Sequence, residues 1–363
     1  MNNIILFGTR YTVHGARFVR MLFVACYSPC TSYLVSCTKI LVLFVGILLL
    51  ASCNRDVKQY YLYQGEMFRT TFHIKYEHNK TLDSQIDSIL NAFDLSMNPF
   101  NEKSIIYKVN NNIPVEVDDW FIKVFNESQK ISIQTDGAFD ITCAPLINLW
   151  GFGFDKSVAP TQTAIDSVKQ FVGYNKIRLI NRTVEKDDPR VILNTSAIAK
   201  GYACDVIAEM FEYYGVANYM IEIGGEVYAK GINPGGVCWK IEISKPEDDN
   251  TGKTLKRQEV VNLCQGGMAT SGNYRNYYTK DGKKYSHIIN PKTGYPSEQS
   301  VLSVSVITNE CMLSDAYATA FMVLGVETTD SLASKIDGLA YYLIYDNNGT
   351  HQVNKKNMEM FFK

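Results

Sequence analysis

Asp315 and Thr319, in the segment SDAYATAFMVLG, stand four residues apart, so a helix would carry both on one face. That face is otherwise apolar, which would bring a carboxylate and a hydroxyl together in a buried or cleft position. Two hard oxygens so placed suit Mg²⁺, with waters and phosphate oxygens completing its octahedron. Alone the pair is weak evidence, because an Asp and a Thr on a helix more often serve as an N-terminal cap and a satisfied hydroxyl. A second cluster, Asn194-Thr195-Ser196-Ala197-Ile198-Ala199-Lys200-Gly201-Tyr202, passes from an extended segment into a helix. Small residues at that turn let backbone groups approach a ligand, free N–H groups at a helix start favour an anion, and Lys200 adds a point charge for a phosphate. An ordinary strand-to-helix connection with a solvated lysine would read the same way. His287, in KKYSHIINPKTGYP, has an unperturbed pKa suited to proton transfer, although a lone His is more often a hydrogen-bonded structural residue. The glycine-flanked segments GAFD (Gly137 to Asp140), Gly224-Gly225-Glu226 and Met268 to Gly272 have neither the GxGxxG nor the GxxxxGK[ST] spacing, and each reads equally as a turn.

These groups must be positioned by interspersed helices and strands. Alternation through Phe68, Thr70, Phe72, Ile74 and Tyr76 predicts a strand. Leu82, Ile86, Ile89, Leu90 and Phe93 fall on one face of a helix, and Trp120, Phe121, Val124, Phe125 and Ile131 on that of a second, stopped at Asp136-Gly137. A third helix is expected from Ala197 to Tyr214 with Gly215 as its cap, and a fourth from Met312 to Leu324 closed by Gly325. Strands are expected at 219–223, 227–229, 239–244, 260–263, 285–289, 301–307 and 339–345. Without a regular βαβ rhythm, the fold class is α+β rather than a doubly wound parallel sheet.

The chain of 363 residues is 46% hydrophobic and carries 36 Lys+Arg against 37 Asp+Glu, a globular profile. Arg10, Arg17, Arg20 and Lys39 are the charges of residues 1–52, leaving a mildly acidic body with no phosphate-tracking surface, so no nucleic-acid partner is expected. The apolar run Ile40 to Leu50 is too short for the roughly 20 residues of a bilayer span. It ends in Leu50-Ala51-Ser52-Cys53, which resembles a bacterial lipobox. That predicts a leader over 1–52, lipidation at Cys53, a polar tether over 53–64, a domain over 65–363, and anchorage to a bacterial membrane facing the periplasm or exterior. Of nine cysteines, the five in the body (Cys143, Cys204, Cys238, Cys264 and Cys311) are widely spaced and without a CxxC pair, and are expected to be buried thiols.

Eight segments taken in order resemble the ApbE family of FAD:protein FMN transferases: GEMFRTTFHIKY, MNPFNEKSIIYKVN, DGAFDITCAPLINLWGFG, NTSAIAKGYACDVIAE, YMIEIGGEVYAKG, MATSGNYRNYY, KKYSHIINPKTGYP and CMLSDAYATAFMVLG. The resemblance implies an α+β, T-fold-like architecture with mixed, largely antiparallel sheets and packed helices. It also implies a Mg²⁺-dependent reaction in which FAD, the substrate, is split at its pyrophosphate, FMN is joined to a Thr or Ser hydroxyl of a partner protein, and AMP leaves. The implied acceptors are redox subunits such as those of sodium-pumping quinone reductase or Rnf-type complexes. By motif position, Asp315, Thr319 and backbone carbonyls at Ala197 and Ala318 would bind Mg²⁺. Ala138, Phe139, Asp140, Lys200 and Ile289 would border FAD, with Phe68, Phe100 and Asn194 on its adenine and ribose side. His287 and Asp315 compete for the role of general base. Phe100 stands where the family usually has Tyr, Asn194 where it has Asp, and Phe68-Arg69 where Met-Gly is common. A Mg²⁺-dependent FAD pyrophosphatase and a non-catalytic FAD-binding lipoprotein are the rival functions.

Overall fold

The computed structural model describes residues 58–152, 160–246, 257–273, 277–280 and 283–362. Eight of its strands form one sheet: β1 (Gln59–Met67), β2 (Thr70–His78), β5 (Tyr219–Ile223), β6 (Glu226–Lys230), β9 (Gln265–Gly272), β12 (Val301–Thr308), β13 (Ala340–Asn347) and β14 (Thr350–Lys356), in that spatial order. Every neighbouring pair is antiparallel. Three two-stranded ribbons join it: β3–β4 (Ile177–Ile180, Thr183–Lys186), β7–β8 (Trp239–Ser244, Arg257–Leu263) and β10–β11 (Tyr277–Lys280, Lys283–Ser286).

Period-two burial sets the register. Phe72, Ile74 and Tyr76 of β2 stand opposite Ile223, Ile221 and Tyr219 of β5, all six buried on one face. Helices α6 (Ala199–Tyr213) and α7 (Cys311–Leu324) cover that face, and α1 (Asp83–Met97) and α3 (Asp119–Gln134) pack behind them. The short helices α2 (Ile105–Asn110), α4 (Ala144–Leu149), α5 (Gln162–Lys169) and α8 (Val326–Ala333) complete the set. On the opposite face, Trp239, Ile243, Val261 and Leu263 of the β7–β8 ribbon pack over Met268, Ile307, Tyr342 and Ile344. Strand β13 is therefore buried on both sides, with Tyr341 and Leu343 facing the helices, which explains its unbroken apolar run. The expected α+β class and antiparallel sheets are what the chain adopts. Among the described residues no helix is long and apolar enough to cross a membrane.

Several expectations change. Strand β1 begins at Gln59, so the second half of the segment read as a polar tether, residues 59–64, belongs to the sheet; as an edge strand it is only half-buried, which disguised it. Phe68 lies not in a strand but with Arg69 in the two-residue β1–β2 turn, both at positive φ (53° and 61°). Met268 to Gly272 is strand rather than turn. Its Gly267 is required by close approach, since a Cβ there would meet the Cys311 Cα at 2.2 Å. The strand expected over 285–289 stops at Ser286, after which Ile289 bridges Pro296. Strand β14, with most of its residues exposed, carries no apolar alternation to announce it. Of the body cysteines, Cys238 and Cys264 form a disulfide (Cα–Cα 4.6 Å), while Cys143, Cys204 and Cys311 are buried thiols as expected. The bridged pair flanks the Trp239–Leu263 register pair at one end of the ribbon, a juxtaposition that only the β7–β8 pairing creates.

Candidate active site

Helix α7 is buried nearly all round, and two of its polar residues, Asp315 and Thr319, border one cavity. Asp315 is 3% exposed and Thr319, one turn on, is half-buried. The two helices meet at Gly201, where an added Cβ would lie 2.4 Å from the Cys311 carbonyl oxygen. That contact lets the Gly201 N–H donate to Asp315 Oδ2 at 3.2 Å. It also brings Lys200, in the first turn of α6, into the site. The Lys200 ammonium donates to the Ser196 carbonyl at 2.7 Å and lies 3.3 Å from Glu226 Oε1 and 3.7 Å from Asp315 Oδ2. Glu226 arrives from the opposite direction: Gly224 and Gly225, at φ 64° and 101°, turn β5 into β6 and leave it as the first residue of the new strand.

Burial opposes the charge on Lys200, but Asp315 and Glu226 outweigh it and hold its pKa above the ordinary lysine value. Burial raises both carboxyls, with Lys200 pulling each back down. Two carboxylates thus face one ammonium in a desolvated place, and Glu226 Oε2 is buried without a hydrogen-bond partner. A further cation beside Asp315 would favour the charged form that burial opposes. Among the described residues no group of three or more His, Cys, Asp and Glu side chains could hold a metal. A divalent ion here would therefore rest on the Asp315 carboxylate, the Thr319 hydroxyl and backbone carbonyls, an oxygen set that fits Mg²⁺ with open positions. The Thr319 hydroxyl is 3.2 Å from that of Ser271 on β9, which orients it.

These groups line a cavity of about 420 Å³, within the size range of small-molecule sites. Ala138, Phe139, Asp140, Asn194, Ala197, Lys200, His287, Ile289, Asp315 and Thr319 all border it. Asp140 is spent on its own loop: Oδ1 accepts from the Thr142 N–H (2.8 Å) and hydroxyl (2.7 Å), and Oδ2 from the Tyr174 N–H (2.8 Å). Burial still raises its pKa against those three bonds. Asn194 folds back in the same manner, its Oδ1 accepting from the Ser196 N–H at 2.9 Å and from the Ser196 hydroxyl. Both residues shape the wall. His287 sits one residue beyond β11, its ring edge-on to Phe152 at 6.4 Å.

The remaining expected residues divide. Phe68 and Phe100 line not this cavity but a crevice of about 70 Å³ beside it, which shares Ser196 and Lys200 with it. There the Arg69 guanidinium lies 4.7 Å over the Phe100 ring. Ala318 is fully buried and borders neither space, being on the core side of α7. Cys53 and the lipobox lie outside the described residues. The sequence reading missed Glu226 as a site group and Ser271 as the partner of Thr319; an acid directly after a Gly-Gly turn and heading an apolar strand was the available signal for the first.

The α+β scaffold thus brings a buried acid, a lysine and a hydroxyl to one ligand-sized cavity. The ApbE family profile matches residues 68–343, and the chain belongs to that family. An FAD:protein FMN transferase of Vibrio cholerae serotype O1 is 37% identical over 298 residues, covering 79% of this chain and 88% of the relative. The FAD:protein FMN transferase of Haemophilus influenzae is 35% identical over 317 residues, covering 83% and 90%. Among solved structures, the flavin transferase ApbE from Vibrio cholerae superposes with a TM-score of 0.75 at 31% identity, over 84% of this chain and all of the other.

Proposed function

We propose that this chain is an FAD:protein FMN transferase that moves the FMN part of FAD onto a Thr or Ser hydroxyl of a redox protein, releasing AMP with the help of Mg²⁺. The observation that carries the reading is the charge balance around Lys200. Lys200 balances Asp315 while burial disfavours charge on Glu226, so a diphosphate entering there brings negative charge that a divalent cation on Asp315 would offset. Bound there, Mg²⁺ would neutralise the diphosphate and stabilise the leaving AMP phosphate. Asp315 and Thr319 would hold it, with the Ala197 carbonyl at the cavity wall as a further donor.

The chain's own groups do the rest. Lys200, held by Ser196 and Glu226, presents its charge to the phosphates. Ala138, Phe139 and Ile289, which line the cavity, enclose the flavin half. The acceptor hydroxyl oxygen attacks the FMN phosphorus; the new P–O bond forms as the bridging P–O bond breaks and AMP departs with its phosphate. Asp315 is already engaged by Lys200 and the Gly201 N–H, so of the two expected candidates His287, which lines the same cavity, takes the hydroxyl proton.

We place the enzyme in the cell envelope, lipid-anchored through Cys53, on the strength of the lipobox. The Cys238–Cys264 bridge supports that compartment, because structural disulfides persist where the surroundings are oxidising. Incubation with FAD, Mg²⁺ and a Thr-bearing acceptor domain tests the function. Covalent flavin on the acceptor with equal AMP supports it, whereas FMN and AMP released at the same rate without acceptor would make the chain a pyrophosphatase. FAD retained with no AMP would make it a binding protein.

A further inference from the structure

We propose that Asp205 is a positioning residue for the reaction: from α6 it clamps the N-terminus of α7 and so fixes the axial position and rotation of the turn that carries Asp315 and Thr319. The inference rests on the cation reading of that turn. Asp205 touches neither the cavity nor the residues that line it, and nothing in its sequence context marks it beyond being an acid on a buried helix. It is only 6% exposed.

Its two oxygens are divided between successive backbone donors of α7. Oδ1 accepts from the Cys311 N–H at 2.7 Å and Oδ2 from the Met312 N–H at 2.8 Å. The first N–H groups of a helix have no partner within it and are ordinarily met by the side chain of the preceding residue. Here that residue, Glu310, makes no side-chain cap bond. Its carboxylate instead pairs with Lys123 at 3.1 Å. The capping function has been transferred to a different helix, and with it control over where α7 sits.

Helical spacing makes the clamp a second point of a two-point grip. Asp205 lies four residues after Gly201, so the same face of α6 that donates the Gly201 N–H to Asp315 Oδ2 also holds the start of α7. One point alone would let α7 pivot or slide; two separated by a helical turn define it. A residue kept for stability alone would be an odd choice, because burial raises the Asp205 pKa to about 7 against its two N–H bonds and Lys123. The charged form is thus disfavoured by its surroundings, although it is the form that can accept both bonds.

The test is Mn²⁺ binding to the full chain in detergent at pH 8, read by electron paramagnetic resonance with the metal alone as probe, alongside circular dichroism and thermal melting. Wild type should bind Mn²⁺ and Asp315→Asn should not. Asp205→Asn should keep the fold yet weaken Mn²⁺ by about tenfold, the lower end of what losing an outer partner of a metal ligand costs. Asp205→Ala should weaken it further, since Asn retains one carbonyl acceptor and Ala none. That ordering, with the Asn variant still folded and melting well above the assay temperature, is not what a merely structural residue gives. Mn²⁺ affinity within twofold of wild type in both variants would overturn the proposal while leaving the cation site standing. Absence of Asp315-dependent Mn²⁺ binding in wild type would overturn the cation reading and this inference with it. If Asp205→Ala fails to fold, the Asn variant decides alone.

Discussion

Replacing Gly201 with alanine tests whether the approach of α6 to α7 is what assembles the site. The added methyl carbon would stand 2.4 Å from the Cys311 carbonyl oxygen and 2.9 Å from the Asp315 Cβ. Carbon contacts settle near about 3.5 Å, so the helices must part by about 1 Å. The nearer obstacle is backbone, which cannot swing aside as a side chain would. Overpacking of this kind costs about 1–3 kcal/mol, a fall in melting temperature of about 5 °C for a chain of this size. The catalytic cost should be comparable in free energy, but it appears directly as lost rate. Asp315 would be carried away from the Gly201 N–H and from Lys200, and a displacement of about 1 Å at reacting groups can cost about 100-fold in rate. Gly201→Ala should therefore fold, melt slightly early, and transfer flavin to an acceptor domain about 100-fold more slowly, measured by acceptor fluorescence and AMP release. Transfer within twofold of wild type would refute the claim that this helix contact sets the catalytic geometry.

Asp315→Asn should abolish Mg²⁺-dependent AMP release while the far-ultraviolet dichroism is unchanged; retained turnover would remove Asp315 from the cation site. Because burial lifts the folded-state pKa of Asp205 from 3.8 to about 7, its contribution to stability is full below the lower value and is lost as pH rises toward the upper. Melting curves between pH 4 and 8 should accordingly lose part of that slope in Asp205→Asn. Removing the disulfide by Cys238→Ser with Cys264→Ser opens a loop of 26 residues, worth up to about 3.5 kcal/mol by the chain-entropy relation. The same fall in melting temperature should appear when wild type is melted under reducing conditions.

The four-residue spacing put Asp315 and Thr319 on one helix face, but spacing alone read more often as a cap and a satisfied hydroxyl, and Lys200 read equally as a solvated lysine; the ordered family segments singled all three out. What escaped notice shares one cause: pairing between segments distant in sequence. Glu226 reaches Lys200 only because β5 and β6 form a hairpin beside α6, and Ser271 meets Thr319 only because β9 runs under α7. Cys238 and Cys264 are 26 residues apart until β7 pairs with β8. The misplacement of Phe68 has a local cause. A two-residue hairpin turn at positive φ normally advertises itself with Gly or Asn, and here bulky Phe and Arg occupy it, so the alternation of β2 seemed to start early. Phe68, in that turn, and Phe100, just beyond α1, line a separate crevice together with Met97 and Thr195.

The most direct measurement is the crystal structure of the chain with FAD and Mg²⁺. The pyrophosphate should lie against Asp315, Thr319 and Lys200, bridged to the acid and the hydroxyl by the ion, with the FMN phosphorus open toward His287. A pyrophosphate bound away from α7, or one held by Lys200 with no ion on Asp315, would contradict the account.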